Sequence, residues 1–192
     1  MIGIIDFGSS KVPDILKSVE TAGYSGKVVE VRNAKFAIRQ SSAQELQNFE
    51  KLILSGAPIL LSQIEDAQTY VDFAQEVLEL DIPILGICFG HQIIGMAHGS
   101  NCFMGEEDRA GQMISKTQDD SIFEGLDDDF EMQQDHCEYI NLPPDLIHLG
   151  KSKITENEVM KHSKKSIYGC QFHPEVSGEN GQRFIENFLN MS

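Results

Sequence analysis

The stretch from Asp81 to Gly99, D-I-P-I-L-G-I-C-F-G-H-Q-I-I-G-M-A-H-G, constrains the fold of this chain more than any other. Ile82 to Ile87 is an apolar run of strand length, and Ile93, Ile94, Met96 and Ala97 then recur in a helical pattern. Between them lies Gly86-Ile87-Cys88-Phe89-Gly90, a G-x-C-x-G pentapeptide. Strand, sharp turn and helix with a nucleophile at the turn is the thiol counterpart of the G-x-S-x-G elbow. The central residue of such an elbow takes a strained backbone, so its side chain projects from the sheet edge. Glycines two before and two after allow strand, turn and helix to approach closely. Cys88 then stands at a helix N-terminus, whose partial positive charge favours the thiolate. The backbone N–H of Phe89 points into the same region and can hold an oxyanion. Taken alone, a cysteine among apolar residues is as often a small buried hydrophobe.

A second stretch decides between these readings. A cysteine nucleophile needs a base, and the base needs an orienting group. Tyr168-Gly169-Cys170-Gln171-Phe172-His173-Pro174-Glu175 offers both, as His173 and Glu175. Residues two apart on an extended segment point to one side, and Pro174 keeps His173 extended. Either residue alone reads as an ordinary loop position.

The two motifs together, G-I-C-F-G-H-Q at 86–92 and Q-F-H-P-E at 171–175, resemble the class I glutamine amidotransferases of the triad type. The resemblance covers nearly the whole chain. It implies a three-layer, flavodoxin-like α/β fold: a mostly parallel central sheet, helices on both faces and a small antiparallel extension. It implies Cys88 as nucleophile, His173 as base and Glu175 as its orienter, acting on glutamine without a cofactor or metal. Gln92 resembles the family residue that contacts the substrate's amino-acid end, whereas His91 is as easily a packing residue. Ser55-Gly56-Ala57-Pro58 stands where the family has S-G-G-P, the loop that supplies the second oxyanion N–H, so Gly56 and Ala57 join Phe89 as candidate donors. A Cβ at Ala57 restricts positive φ there, and a simple β-turn is the competing reading.

Within the family the glutaminase part of the GMP synthases is the nearest match. Asp6-Phe7-Gly8-Ser9 matches the D-F-G-S-Q opening of that group, with Ser10 in place of Gln. Gln133-Gln134-Asp135-His136-Cys137-Glu138-Tyr139-Ile140, followed by Leu142-Pro143, resembles its pocket-lining S-H-G-D-x-V…L-P segment. Asp135 and His136 are thereby substrate-binding candidates; Asp135 replaces Ser and Cys137 replaces Gly. A GMP synthase also needs an ATP-binding loop of the S-G-G-x-D-S kind, and here Ser55-Gly56-Ala57 runs on into Pro58 instead. The resemblance therefore implies that the partner is a separate ATP-dependent synthetase subunit. The alternatives are a stand-alone hydrolase of glutamine or a γ-glutamyl compound, which the departures at 57 and 135–138 favour, and a non-enzymatic regulator, which the intact Cys88, His173 and Glu175 disfavour.

Charge and cysteine usage bound the partners. A net charge of −15 over 192 residues argues against nucleic acid or an anionic membrane as the main target. Cys88, Cys102, Cys137 and Cys170 form no C-x-x-C pair and fit reduced thiols. Met1 to Asp6 lacks the features of a signal peptide, and no apolar stretch approaches the roughly 20 residues of a membrane span. A cytoplasmic chain forming a single domain over 1–192 is expected.

The remaining pattern supports a parallel sheet. Ile2–Ile5, Lys27–Val31 and Lys51–Leu54 read as strands, and 13–22, with Pro13 in its first turn, as a helix. Strand, helix and strand at this spacing signal a βαβ unit. A polar loop with a short helix from Ala43 is expected over 33–48, and a long helix over 63–80 from Ile64, Ala67, Val71, Ala74 and Leu78. After Gly99 come short pieces at 113–116, 130–133, 147–150, 158–160 and 166–169, expected as strands of an antiparallel extension. A helix over 178–191 closes the chain.

Overall fold

A computed structural model describes residues 1–31 and 46–191. The loop and short helix expected over 33–48 lie largely outside the described residues. The first part contains β1 (Ile2–Asp6), α1 (Val12–Thr21), β2 (Gly26–Glu30), β3 (Lys51–Leu54), α2 (Ala67–Leu78), β4 (Ile84–Ile87) and α3 (Phe89–Ala97). Then follow β5 (Cys102–Asp108), β6 (Gly111–Lys116), β7 (Asp129–Gln133), β8 (His136–Ile140), β9 (Leu146–Lys151), β10 (Val159–His162), β11 (Ile167–Cys170) and α4 (Gly178–Asn190).

Nine strands form one sheet in the order β2-β1-β3-β4-β11-β10-β9-β6-β7. The strands from β2 through β11 run parallel, and those beyond β11 pair antiparallel. The parallel part has the flavodoxin-like strand order, whose sites lie beyond the carboxyl ends of the strands. The expected α/β fold with a mostly parallel sheet and an antiparallel extension is what the chain adopts.

Alternation along the strands builds a core on each face. Ile2, Ile4, Ile53, Leu85 and Ile87 pack with Ile15 and Val19 of α1 and with Phe184, Ile185 and Phe188 of α4. Ile5, Leu52, Leu54 and Ile84 face the other way, onto Phe73 and Val77 of α2 and Ile93 and Ile94 of α3. With both faces covered, the strands need near-continuous apolar sequence, the pattern that marked them. Each side chain of this size contributes about 1.5–3 kcal/mol when fully buried.

Three expectations are corrected. The segment around 166–169 is β11, which pairs parallel with β4 and antiparallel with β10, so it joins the two halves instead of lying in the extension. The helix expected from Gln63 begins at Ala67, because the N–H groups of Leu61 and Ser62 are drawn to the Glu138 carboxylate at 2.7 and 2.8 Å. Finally, the strand pair β5–β8 is a separate two-stranded ribbon, for which Cys102–Asp108 shows no apolar alternation. Among the described residues no helix is long and apolar enough to cross a membrane.

Candidate active site

Cys88 caps the N-terminus of α3 with φ 51° and ψ −100°, alone among the described non-glycine residues in having positive φ. The backbone around it is clamped from two sides. Its N–H donates to the Cys170 carbonyl at 2.8 Å, and the Gly90 N–H donates to the Ser55 carbonyl at 3.2 Å. The two elbow glycines are close-approach positions: a Cβ on Gly86 would stand 2.5 Å from the Gly90 carbonyl carbon, and one on Gly90 would run into the Leu54 carbonyl oxygen. Strain at Cys88 of order 1–3 kcal/mol is sustained by this packing.

Strand register brings in the second motif. Cys170 lies opposite Ile87, so the chain leaving β11 passes directly beside the elbow. His173 follows, its N–H bonded to the Gln133 carbonyl at 2.8 Å. Its Nδ1 is 2.7 Å from Glu175 Oε1, and both side chains are almost fully buried. Burial by itself would depress the His173 pKa. The charge of Cys88 as thiolate, a hydrogen bond to it and the Glu175 carboxylate outweigh burial and raise it to about 10. At neutral pH the His173 ring is therefore protonated, a cation placed beside the cysteine.

The oxyanion candidates divide. Phe89 lies in the first turn of α3, where N–H groups have no acceptor within the helix. Phe89 and Ala57 both line the cavity that holds Cys88. Gly56 lies instead beside the imidazole, where a Cβ would come within 3.1 Å of His173 Cε1. Ala57 lies outside the positive-φ region, so its Cβ imposes no backbone strain.

The cavity, of about 360 Å³, is lined by Cys88, Gln92, Arg109, Asp135, His136 and Glu138 among others. It thus unites the substrate-binding candidates. Asp135 accepts hydrogen bonds from Lys11 and Arg109. Burial raises its pKa, but those two cations prevail and hold it below the usual carboxylate range. Burial lowers the His136 pKa to about 4, so its ring is neutral; it bonds Gln134 Oε1 at 3.0 Å. Gln92 donates to the Glu138 carbonyl at 2.9 Å and to Gln171 Oε1 at 3.3 Å. His91 is fully buried against Gly169, its pKa lowered to about 3 by burial, and is a packing residue.

Several contributors escaped the sequence reading. Arg109 lines the cavity and Lys11 binds Asp135 from a distant segment, and no local pattern marks either. Glu138 is not an open pocket carboxylate, because its two oxygens cap the 61–62 backbone. Gln171 Nε2 lies 3.6 Å from Cys88 Sγ; its place in Q-F-H-P-E was the available signal.

A strained cysteine beside a buried His–Glu pair, opening onto a polar cavity at the carboxyl end of a parallel sheet, is an arrangement with the chemistry for acyl transfer through a thioester. The family model for glutamine amidotransferase class-I matches residues 3–191, and the chain belongs to that family. It is 35% identical over 194 residues to a protein of Methanococcus aeolicus named as one subunit of the glutamine-hydrolysing GMP synthase, covering 100% of this chain and 97% of that protein. The identically named protein of Methanosarcina barkeri is 38% identical over 143 residues, covering 73% of this chain and 72% of that one. A crystal structure from Thermoplasma acidophilum, provisionally named for the same GMP synthase subunit, superposes with TM-score 0.85 at 25% identity, over 98% of this chain and 91% of that one.

Proposed function

We propose that this chain is the glutaminase half of a two-chain GMP synthase, hydrolysing the glutamine side-chain amide and handing the ammonia to a separate ATP-dependent synthetase chain. The full-length match to a protein named as one subunit of GMP synthase carries this reading. The site geometry supports the roles of Cys88, His173 and Glu175.

In this reading the Cys88 thiolate attacks the side-chain amide carbon. The backbone N–H groups of Phe89 and the 56–57 loop receive the oxyanion; each donor of this kind is worth about 3 kcal/mol of barrier. His173 starts protonated, so it is loaded as the acid for the departing ammonia. The resulting thioester is attacked by water, whose proton His173 takes, and glutamate leaves as the thiolate re-forms. Glu175 balances the imidazolium charge and holds the ring.

The test is glutamate release from glutamine by the purified chain, with Cys88→Ala as the blank. It is then repeated with a candidate synthetase chain, ATP, Mg²⁺ and xanthosine monophosphate. We expect Cys88-dependent release that rises with the synthetase, together with GMP formation. Release insensitive to Cys88→Ala would overturn the nucleophile. Release with no GMP from any synthetase chain would leave a stand-alone hydrolase.

A further inference from the structure

Gln171 is fully buried and spans the gap between Gln92 and the cysteine. Its amide orientation is dictated by its neighbours. Gln92 Nε2 faces the Glu138 carbonyl oxygen, which can only accept, so the nitrogen end of Gln92 is the one pointing that way. The same nitrogen reaches Gln171 Oε1 at 3.3 Å. Gln171 must therefore turn its oxygen to Gln92 and its Nε2 to Cys88 Sγ, 3.6 Å away. The main chain is fixed as well: the Gln171 N–H donates to the Glu158 carbonyl at 2.8 Å, immediately after β11.

We propose that Gln171 is a further catalytic residue, a fixed neutral N–H donor to the Cys88 sulfur. The inference rests on Cys88 being the nucleophile. Its logic is complementary to that of His173. The imidazolium stabilises the thiolate only until it gives up its proton to the leaving ammonia. A neutral amide never gives up its proton, so its donor remains aimed at the sulfur throughout the cycle. It serves both when the thiolate attacks and when the sulfur is expelled from the thioester with its electron pair. The Gln92 contact ties this donor to the wall of the cavity, so the sulfur and the substrate pocket share one hydrogen-bonded frame.

The experiment is the pH dependence of Cys88 alkylation by iodoacetamide, read by mass spectrometry on the peptide that carries Cys88. It is run on the full chain, on Gln171→Met and on Gln171→Glu. Met keeps the length and removes the donor; Glu keeps the shape and the acceptor for Gln92 but presents an oxygen to the sulfur. We expect the alkylation midpoint to rise by about one pH unit in Gln171→Met, a ten-fold change in the ionisation equilibrium, and further in Gln171→Glu. Glutamate release at saturating glutamine should fall about ten-fold in Gln171→Met. A packing strut would lower the thermal midpoint without moving the alkylation profile, and unchanged profiles would overturn the proposal. In the unsubstituted chain, the Gln171 side-chain amide resonance should shift over the pH range in which alkylation switches on, and a static resonance would overturn it equally. A parent chain with no Cys88-dependent glutamate release, alone or with a synthetase chain, would break the underlying reading. Parent activity with unmoved profiles would break this inference alone.

Discussion

The parallel half of the molecule and the β5–β8 ribbon are built on opposite terms. In β3 and β4 every residue is buried, and helices cover both faces. In β5 most residues face solvent, with Phe103 48% and Met104 46% exposed. Both regions reach the same cavity. The parallel half supplies Cys88 and, through β11, the chain that carries His173. The ribbon and the loops flanking it supply Arg109, Asp135, His136 and Glu138. The group that reacts must be held to a fraction of an ångström, so it sits on the rigid frame. The candidate substrate-binding groups sit on walls that can differ among proteins while the frame stays the same.

The largest expected effect breaks the frame. In Gly90→Ala the new Cβ meets the Leu54 carbonyl, which is backbone and cannot turn aside. A loss of about 3 kcal/mol is expected, seen as a fall in the thermal unfolding midpoint together with loss of glutamate release. A parent-like midpoint would show that the elbow is looser than this packing implies.

Next come the acid–base groups of the frame. His173→Ala should reduce turnover by about 10³-fold and also lower the midpoint, because Glu175 is left buried without its partner. Glu175→Gln should reduce it less, because it weakens orientation and charge balance and leaves the base in place. Equal or reversed losses in steady-state glutamate release would contradict that division.

The same pair gives a pH signature. The His173 pKa is raised in the folded chain, so between roughly 6.5 and 10 the folded state holds a proton that the unfolded state has lost. Its stabilisation is complete below the unfolded value and is lost as pH climbs through about 10. The paired thiolate and imidazolium of the proposed mechanism hold one proton between them, as unfolded Cys and His together do up to about pH 8.5. Thermal midpoints should therefore decline chiefly from there to about pH 10, and the decline should flatten in Cys88→Ala, which removes the largest influences raising that pKa. Parallel curves for the two proteins would argue against the ion pair.

The smallest effect belongs to the wall. Asp135→Asn weakens its ties to Lys11 and Arg109, pairs that solvent screens. The glutamine KM should rise several-fold with kcat near the parent value. A fall in kcat with KM unchanged would place Asp135 in the reacting frame and erase the contrast between the two regions.

Much of the frame was legible because its signals are local. Gly86, Cys88 and Gly90 are close in sequence and in space, and His173 meets Glu175 at 2.7 Å, although through a 3-10 turn over Pro174–Val176 and not along the extended segment expected. The strands were visible because burial on both faces demands continuous apolar runs. The wall was not legible for the complementary reason. Asp135 meets Lys11 and Arg109 only across the folded chain, and a polar segment such as 133–140 looks the same as loop or strand until β5 pairs with it.

By itself the sequence determined the elbow, the identity of the three candidate catalytic groups and the parallel character of the sheet. Each of these follows from short-range stereochemistry or from the period of apolar residues. Tertiary structure alone decided that β11 lies parallel against β4, which carries His173 to Cys88. It also decided that Glu138 captures the 61–62 backbone and that the Gln171 amide nitrogen faces the sulfur. These depend on registers and hydrogen-bond partners far apart in the chain, and such pairings come into being only when the sheet closes.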